Sequence, residues 1–421
     1  MSDLGALAVE VKTWVDANWD LGVTVREWWH RLANAGYAFP SLPTGLGGSG
    51  ASAREAAIVL KVLAENHVIG PPFGGVASRL ATPTILEHGD PDQIATFVRD
   101  IAYGEASWCQ LFSEPGSGSD LASVGTSAVR DGDEWVVNGQ KVWNSSADSA
   151  DFGMLMARTD ANQPKHRGIS YFAIDMHQSG IEVRPLRQMN GSTSFCEVFL
   201  TDARVPSDRI LGQLNGGWAV AQTTLRHERN SVAGGGAVGL AYAQSGSRGD
   251  LERTVGDVLA RLRGLTRTRR SQIRSGAVPA NVMINLAQDY GVAQDAIVRQ
   301  VLARYVSQIR VNGWLMRRIA ASGGRLTGAD GSMAKLSTSR ICQDSRDLSY
   351  QIVGAHGLLS GAESPLHGDL QMVNLGSPGT RIGGGTDEIQ LNVLGERALG
   401  LPREPSDREV PYRDLLVGTQ R

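Results

Sequence analysis

The chain contains 421 residues, and its 41 lysines and arginines against 43 aspartates and glutamates give a net charge of −2. This length indicates roughly two or three packed units, and the near-neutral charge excludes global electrostatic attraction to nucleic acid or an anionic membrane. The three cysteines, Cys109, Cys196 and Cys342, are too widely separated to indicate a disulfide framework or a zinc site. Residues 1–20 are not typical of a signal peptide, and no apolar run is long enough to span a bilayer, so we expect a cytoplasmic protein.

The first predicted unit, residues 1–107, is helical. Apolar residues recur at helical spacing in residues 16–35 and again in residues 51–64. Asp90 followed by Pro91 is typical of a helix N-cap and first turn, and predicts a helix that continues to Ile101.

The second predicted unit, residues 108–213, contains strands. We interpret Asp131-Gly132 and Asn138-Gly139 as turns between neighbouring strands. Because no helical pattern intervenes between the strands, the sequence predicts an antiparallel barrel-like or sandwich domain. The predicted strands are short runs of β-branched and aromatic residues at 127–130, 134–137, 152–157, 169–174, 181–186 and 195–200.

The third predicted unit, residues 214–400, is helical again, and residues 401–421 form a C-terminal arm that we expect to be exposed. The predicted fold class is therefore α+β, with helical, β and helical domains in that order. A basic stretch at 251–274 indicates either a solvated helix face or a phosphate-binding site. Helical periodicity spans residues 218–244, 281–319, 334–353 and 388–399.

Glycine makes up 51 of the 421 residues, and it clusters rather than repeats. One cluster lies in the stretch SEPGSGSD at 113–120, just after the predicted change from helix to strand. Glycines beside hydroxyl residues present free N–H and O–H donors, which suit an anionic or carbonyl-bearing ligand. A plain turn is the alternative, but the position at a domain junction favours a binding loop.

Five segments, taken in chain order, resemble the acyl-CoA dehydrogenase family. They are SEPGSGSD at 113–120, NGQKVWNSS at 138–146, EVFLTDARV at 197–205, QIVGAHG at 351–357, and the turn GTDEIQ at 385–390 with its following helix. The resemblance implies a helical domain, a β-barrel-like domain and a C-terminal four-helix bundle, in the order that the periodicity predicts independently. It also implies FAD bound between the β domain and the bundle, usually in a dimer or tetramer.

The resemblance further implies which residues bind the cofactor. The loop from Gln110 to Ser119 would line the flavin, Trp143 would pack against its ring system, and Ser145 would bond near N5. Without these neighbours, Trp143 would be interpreted as a buried strand aromatic. Two further segments, 351–355 and 386–388, would meet the adenosine and phosphates, commonly across a subunit boundary. The implied cofactor residues are Gln110, Phe112, Ser113, Gly118, Ser119, Trp143, Ser145, Gln351, Gly354, Ala355, Thr386 and Glu388.

The family's reaction needs a carboxylate that removes the α-proton of an acyl thioester on the side away from the flavin. Many members carry it directly before the Gly-Thr of the closing turn, where this chain has Gly384. A second family pattern places glutamate before arginine on an earlier helix, and Glu228-Arg229 resembles that pattern. The resemblance implies that Glu228 is the base and that Arg229 holds the local geometry.

The remaining implied roles concern the substrate. Gly384 would leave room for Glu228 and would polarise the thioester carbonyl through its backbone N–H. Ser119, Arg229 and Gly385 would complete the substrate contacts. The alternative interpretation of Glu228 is an exposed helix carboxylate paired with an arginine.

Two departures from the family pattern bear on the flavin site. The stretch Y-x-x-x-R-x-x-F-G, whose arginine reaches the FAD pyrophosphate of the neighbouring subunit, is not found, and Arg269 or Arg270 is a candidate substitute. Ala355 also replaces the second glycine of Q-x-x-G-G. Together these departures favour an assembly in which a different polypeptide supplies half of each site. A glycine run at 234–236 indicates either close helix packing or space for a bulky acyl group.

The sequence thus favours an FAD-dependent acyl-CoA dehydrogenase that forms a trans-2-enoyl-CoA and passes electrons to an electron-transfer flavoprotein, as a homo-oligomer or a heteromer. The alternatives are a non-catalytic partner subunit and a flavin-dependent monooxygenase of the same fold. Glu228 with Arg229 discriminates against both. The eight histidines form no H-x-x-x-H pattern and no nucleophile elbow is present, so we expect neither a metal site nor a nucleophilic triad.

Overall fold

The computed structural model describes residues 4–72, 75–233, 242–268, 276–321, 328–361, 363–403, 405 and 409–415. Within these ranges helices come first, a sheet follows and helices return, as the sequence predicts. The glycine run at 234–236 and the candidate arginines Arg269 and Arg270 lie outside the described residues.

The N-terminal helices enclose two adjacent tryptophans. Trp28 and Trp29 are completely buried, and their indole N–H groups donate 2.8 Å hydrogen bonds to the carbonyls of Ile69 and Gly70. Asp90 caps the helical segment that follows it, as predicted. The predicted helix at 16–35 is instead two helices. The helices are α1 Leu4–Asn18, α2 Val25–Asn34, α3 Ala53–Glu65, a π turn Ala77–Ala81 continuing into α4 Thr82–His88, and α5 Pro91–Gln93 joined by a π turn Ile94–Val98 to α6 Arg99–Ala102.

Seven strands form one mixed sheet. They are β1 Trp108–Leu111, β2 Ser127–Asp131, β3 Glu134–Ser145, β4 Phe152–Arg158, β5 Ile169–Asp175, β6 Ile181–Leu186 and β7 Phe195–Pro206. The strand order is β1-β4-β2-β3-β7-β6, and β5 pairs with β4. The prediction of an antiparallel domain needs correction at two pairings, because β4 runs parallel to both β1 and β2.

The prediction of a turn at Asn138-Gly139 is wrong. β3 continues through these residues and pairs with β7, with register shifts between Val137 and Gly139 and between Lys141 and Asn144. A Cβ on Gly139 would collide with the side chain of Thr126, so close packing explains the glycine. The Asp131-Gly132 turn, by contrast, connects β2 to β3 as predicted.

The C-terminal helices are α7 Gly217–Ala233, α8 Val255–Thr268, α9 Ala280–Asp289, α10 Ala296–Ala321, α11 Gly328–Val353, α12 Asp369–Ile382 and α13 Asp387–Val393, which a π turn Leu394–Ala398 extends. Helix α11 is central, because α7, α10, α12 and α13 all pack against it. Helix α7 also packs against α4 and β5, so it lies where the three units meet. Each helix within the described ranges is too short or too polar to traverse a lipid bilayer.

The C-terminal arm is only partly exposed. Its described residues 409–415 lie against the connection between β4 and β5, where Pro411 and Pro164 form an isolated β-bridge. The expectation of an exposed arm therefore needs correction for this segment.

Candidate active site

Glu228 lies on α7, one helical turn after a threonine that fixes this helix. The Thr224 hydroxyl is 2.9 Å from the Thr84 hydroxyl on α4 and 3.0 Å from the Tyr171 hydroxyl on β5. All three of these side chains are completely buried. Because Thr224 precedes Glu228 by four residues, both side chains lie on the same face of α7. The hydroxyl network therefore fixes the rotation of the helix that carries Glu228.

A second set of contacts connects α7 to α4. The Thr223 hydroxyl donates a 3.0 Å hydrogen bond to Glu87 and lies 2.9 Å from Nε2 of His88. Arg226 pairs with the other carboxylate oxygen of Glu87 at 2.5 Å. Glu87 and His88 of the N-terminal unit therefore hold α7 through polar contacts with Thr223 and Arg226.

The Glu228 carboxylate faces two predicted site residues that come from distant parts of the sequence. Gln110 Nε2 donates a 3.3 Å hydrogen bond to Glu228 Oε2. Glu228 Oε1 lies 3.8 Å from the point where a Cβ on Gly384 would be, so the missing side chain leaves room for the carboxylate. The structure thus brings Gln110, Glu228 and Gly384 together across three elements.

The surroundings of Glu228 favour its protonated form more than water does. The side chain is half-buried, and burial raises the pKa of Glu228, while the hydrogen bond from Gln110 and the charge of Arg229 lower it. Arg229 is itself half-buried, and burial followed by the nearby Arg397 lowers the pKa of Arg229. A shielded carboxylate of this kind differs from the exposed helix carboxylate that was the alternative interpretation.

The backbone opposite Glu228 forms a left-handed turn between α12 and α13. Gly384 and Gly385 have φ angles of 67° and 84°. The buried Gln390 donates a 2.7 Å hydrogen bond to the Gly384 carbonyl and accepts a 2.6 Å hydrogen bond from Ser332 on α11. A Cβ on Gly385 would lie 2.6 Å from Gln390 Nε2, so this position requires glycine.

A buried ion pair fixes the start of α13. Lys335 on α11 is 4% exposed, and its Nζ lies 2.6 Å from Asp387 and donates to the Arg381 carbonyl at 3.1 Å. Burial would raise the pKa of Asp387, but Lys335 and the Ser339 hydroxyl outweigh burial and lower it. Thr386 caps α13 by accepting a backbone hydrogen bond. The glycine turn is therefore held rigidly against α11.

The glycine-rich loop at 113–120 is anchored by a second buried ion pair. Lys141 on β3 is completely buried, and its Nζ donates hydrogen bonds of 2.8 Å to Glu114 and 3.0 Å to the Phe112 carbonyl. Glu114 also accepts backbone N–H groups from Gly125 and Thr126 at 2.7 and 2.9 Å. Burial would raise the pKa of Glu114, but Lys141 and these donors outweigh burial and lower it.

The tip of this loop is open. A Cβ on Gly118 would meet no atom within 4 Å, Ser119 is exposed and Ser113 is half-buried. Phe112 differs, because its side chain is 4% exposed and packs edge-on against Tyr171 at 5.7 Å. The Phe112 side chain is therefore part of the core beneath the loop and does not face a ligand.

Trp143 projects from a bulge in β3. Its φ angle is 63° and its side chain is 56% exposed, with the ring edge-on to Phe195 at 5.9 Å. The adjacent Asn144 is buried and donates a 2.7 Å hydrogen bond to the Gln110 carbonyl, which connects the bulge to β1. Ser145 is half-buried beside them. The exposed indole excludes the alternative of a buried strand aromatic.

The other implied cofactor residues lie at opposite ends of α11. Gln351 is on its last turn, and Gly354 and Ala355 are exposed just beyond it. Thr386 and the exposed Glu388 belong to the turn and helix held by the first turns of α11. The 16 residues from Lys335 to Gln351 rise about 24 Å along a helix. The two groups of residues are therefore well separated along α11 within one chain.

The described residues fit FAD. An exposed indole and a nearby serine hydroxyl suit a flat heteroaromatic ring, and an open loop of glycines and serines suits its polar substituents. At the far end of α11, Gln351 lines a surface cleft with Arg304, Asp344 and Asp347, and these mixed donors and carboxylates suit the amino and hydroxyl groups of an adenosine better than a phosphate.

Several contacts in this site are not visible in the sequence. The hydrogen bond from Gln110 to Glu228 joins residues 118 positions apart, and sequence reasoning assigned Gln110 to the flavin. Gln390 and Lys141 lie inside the quoted motifs, but only their burial shows that they hold the backbone around the site. Nothing in the sequence pattern indicates Thr224.

Comparison with known proteins gives matches along most of the chain. Three family profiles match in order: acyl-CoA dehydrogenase N-terminal domain at 6–105, middle domain at 109–203 and C-terminal domain at 284–399. Acyl-CoA dehydrogenase FadE34 of Mycobacterium tuberculosis is 38% identical over 374 residues, which cover 88% of this chain and 46% of that protein. The chain thus spans about half the length of that relative. Acyl-CoA dehydrogenase IpdE1 of the same organism is 31% identical over 388 residues, covering 90% of this chain and 88% of the relative.

Solved structures have the same architecture. The steroid ACAD Tcur3481-Tcur3483 superimposes with a TM-score of 0.68 at 26% identity, covering 96% of this chain and 99% of that chain. The ChsE4-ChsE5 complex from Mycobacterium tuberculosis gives a TM-score of 0.64 at 26% identity, with coverage of 96% and 99%.

Proposed function

This chain belongs to the acyl-CoA dehydrogenase family, and from that membership we propose that it desaturates an acyl-CoA thioester to the trans-2-enoyl-CoA with Glu228 as the base. The observation that carries the proposal is the shielded Glu228 carboxylate facing Gly384, the position at which many family members carry their own carboxylate. Because only one of the two facing positions, 228 and 384, carries a carboxylate, there is no repulsion between like charges.

The chemistry that we assign to the chain is proton removal. An α-proton of a thioester is weakly acidic, so its acceptor must be ionised yet poorly solvated, and burial of Glu228 provides that condition. As the proton moves to Glu228, negative charge develops on the thioester oxygen. The backbone N–H of Gly384 would stabilise this charge, because Gln390 and Lys335 hold the turn and little reorganisation is needed.

Bound FAD would supply a hydride acceptor for the β-carbon, so that the substrate would lose one proton and one hydride in total. Ser113, Trp143 and Ser145 would line its ring. Gly118 and Ser119 would also contact the cofactor, and Ser119 would contact the substrate as well. Gln351, Gly354 and Ala355 would serve the flavin of a neighbouring subunit, because they lie about 24 Å from the turn at 384–386 along α11. Arg269 and Arg270 remain candidates for the phosphate contact.

We further propose a dimer or tetramer, or a heteromer with a related subunit, that passes its electrons to an electron-transfer flavoprotein. The separation of the two groups of cofactor residues along α11 supports an oligomer. The similarity to Tcur3481-Tcur3483 and to the ChsE4-ChsE5 complex supports a heteromer. In such an assembly Glu228 makes this chain the catalytic subunit, which argues against a non-catalytic partner and against a monooxygenase.

The first prediction concerns Glu228→Gln. We expect this variant to retain FAD but to lose flavin bleaching by substrate by at least a thousandfold, because an amide accepts no proton. The measurement is anaerobic titration of the purified protein with straight-chain, branched and steroid-bearing acyl-CoA thioesters, followed by flavin absorbance. The panel also identifies the acyl group.

A matched control is Glu182→Gln, which alters an exposed carboxylate paired with Arg184 on β6. It should bleach like the parent protein. Because burial raises the pKa of Glu228, its ionised form opposes folding above that pKa, and Glu228→Gln should be no less heat-stable than the parent at neutral pH. Normal flavin bleaching in Glu228→Gln would show that Glu228 is not the base.

A further inference from the structure

The described part of the C-terminal arm makes a continuous set of contacts with the β domain. The backbone N–H of Tyr412 donates to the Gln163 carbonyl at 2.9 Å, and that of Arg413 donates to the Ala161 carbonyl at 3.1 Å. Upstream, Glu409 pairs with Arg167 at 2.5 Å. Residues 409–413 are therefore bound to a segment that lies about 250 residues earlier in the sequence.

Tyr412 covers a buried arginine. The guanidinium carbon of Arg158 lies 3.6 Å from the centre of the Tyr412 ring, a short cation–π contact. Arg158 is 5% exposed and donates to the carbonyls of Ala122 and Val124 at 2.7 and 3.2 Å. Its charge is thus satisfied by the backbone just after the glycine-rich loop, and the Tyr412 ring closes the remaining face.

The same tyrosine reaches the base of the glycine-rich loop. Its hydroxyl lies 3.3 Å from the point where a Cβ on Gly125 would be, and Glu114 Oε2 lies 3.7 Å from that point. Gly125 is one of the residues whose N–H groups bind Glu114. The loop is therefore held from two sides, by Lys141 on β3 and by Tyr412 of the arm together with Arg158 on β4.

We propose that residues 409–415 form a strap that holds the loop 113–125 in its flavin-binding shape, with Tyr412 as the positioning residue; this inference rests on the proposed function. A Cβ on Gly118 at the open tip would meet no atom within 4 Å, and the loop beneath it is tied by a bridge between Glu114 and Ser117 and by a 2.8 Å hydrogen bond from the Ser117 hydroxyl to the Ser123 carbonyl. Because that hydrogen bond ends at Ser123, the shape of the loop also depends on how residues 122–125 are held. The strap holds these residues, and losing it should weaken FAD binding without changing the groups that touch the flavin.

The test compares Tyr412→Ala with Tyr412→Phe, which retains a ring over Arg158. Two quantities are measured: the dissociation constant of FAD from the reconstituted apoprotein, and amide hydrogen exchange of residues 113–126 without flavin. We expect Tyr412→Ala to raise the dissociation constant at least tenfold and to speed exchange in this loop, whereas Tyr412→Phe stays within about threefold. The surface variant Glu182→Gln, which removes only the exposed pair with Arg184 on β6 and touches neither the arm nor the loop, should match the parent protein.

Exchange in β5, residues 169–175, serves as the internal reference. Faster exchange in the loop alone supports the strap. Unchanged FAD affinity and unchanged loop exchange in Tyr412→Ala would overturn it, and so would equally faster exchange in β5, which would indicate general destabilisation. If the parent apoprotein binds no FAD, the proposed function fails, while the exchange comparison still decides whether the arm holds the loop.

Discussion

At Glu228, burial and hydrogen bonding change the pKa in opposite directions. Burial raises it, and the amide of Gln110 together with Arg229 lowers it. The Gln110 amide is held near Glu228 because the Gln110 backbone is part of β1 and its carbonyl accepts a hydrogen bond from Asn144. The pKa of Glu228, the proposed base, is therefore set partly by a neutral side chain that the family resemblance assigns to the cofactor.

Gln110→Met tests this point. Loss of the amide donor removes a hydrogen bond that stabilises the ionised carboxylate, so the pKa of Glu228 should rise further. The acid limb of the kcat profile should then move to higher pH by up to about one unit, because a hydrogen bond to a charged group contributes ~1.5 kcal/mol. The measurement is kcat against pH for both proteins. An acid limb at its original pH would show that Gln110 does not influence the base.

At the scale of single elements, β3 has features that its sequence motif does not indicate. The stretch at 138–146 predicts a turn and a flavin-facing tryptophan, yet it folds as one bulged strand whose Lys141 points inward. The sequence predicts only the first part of this strand, residues 134–137, because hydrophobic alternation is local. It does not predict the bulge or the ion pair, because both depend on Glu114 and Thr126 from other segments.

Lys141→Met should therefore lower the free energy of unfolding more than most surface substitutions do. It leaves the Glu114 carboxylate buried without its cation, and breaking a buried pair in this way costs about 3–5 kcal/mol. Urea denaturation measures the loss, and the double change with Glu114→Gln should recover part of it. Lys61→Met, at an exposed pair with Glu65, should change stability by less than about 1 kcal/mol. Equal effects at the two lysines would contradict the structural interpretation.

At the scale of the whole molecule, the candidate site exists only where the three units meet. Glu228 comes from α7, Gln110 from the sheet, and the Thr84 hydroxyl that holds α7 from the N-terminal unit. The order of helical, β and helical units is predictable because periodicity is local. The contacts between the units are not, since they join residues more than 100 positions apart. The parallel pairings of β4 are missed because they join strands that do not follow one another in the sequence.

Thr224→Val tests the coupling between units. It leaves the buried hydroxyls of Thr84 and Tyr171 without their shared partner, which should cost about 1–3 kcal/mol of stability. It should also lower kcat more than it changes KM, because the helix that orients Glu228 loses its anchor. Thr13→Val, at an exposed helix position, is the control for stability. A stability loss with unchanged kcat would show that the network is purely structural.

Helix α11 connects two places that the proposed function assigns to different coenzyme molecules. Its first turns fix the turn opposite Glu228, and its last turn carries Gln351. On that proposal, a disruptive substitution in the first turns of α11 would inactivate the site of the same chain. One in the last turn would inactivate the site of the neighbouring subunit. In an assembly of two related subunits, each subunit would accordingly need only one intact end of this helix. Neither subunit would then be active without the other.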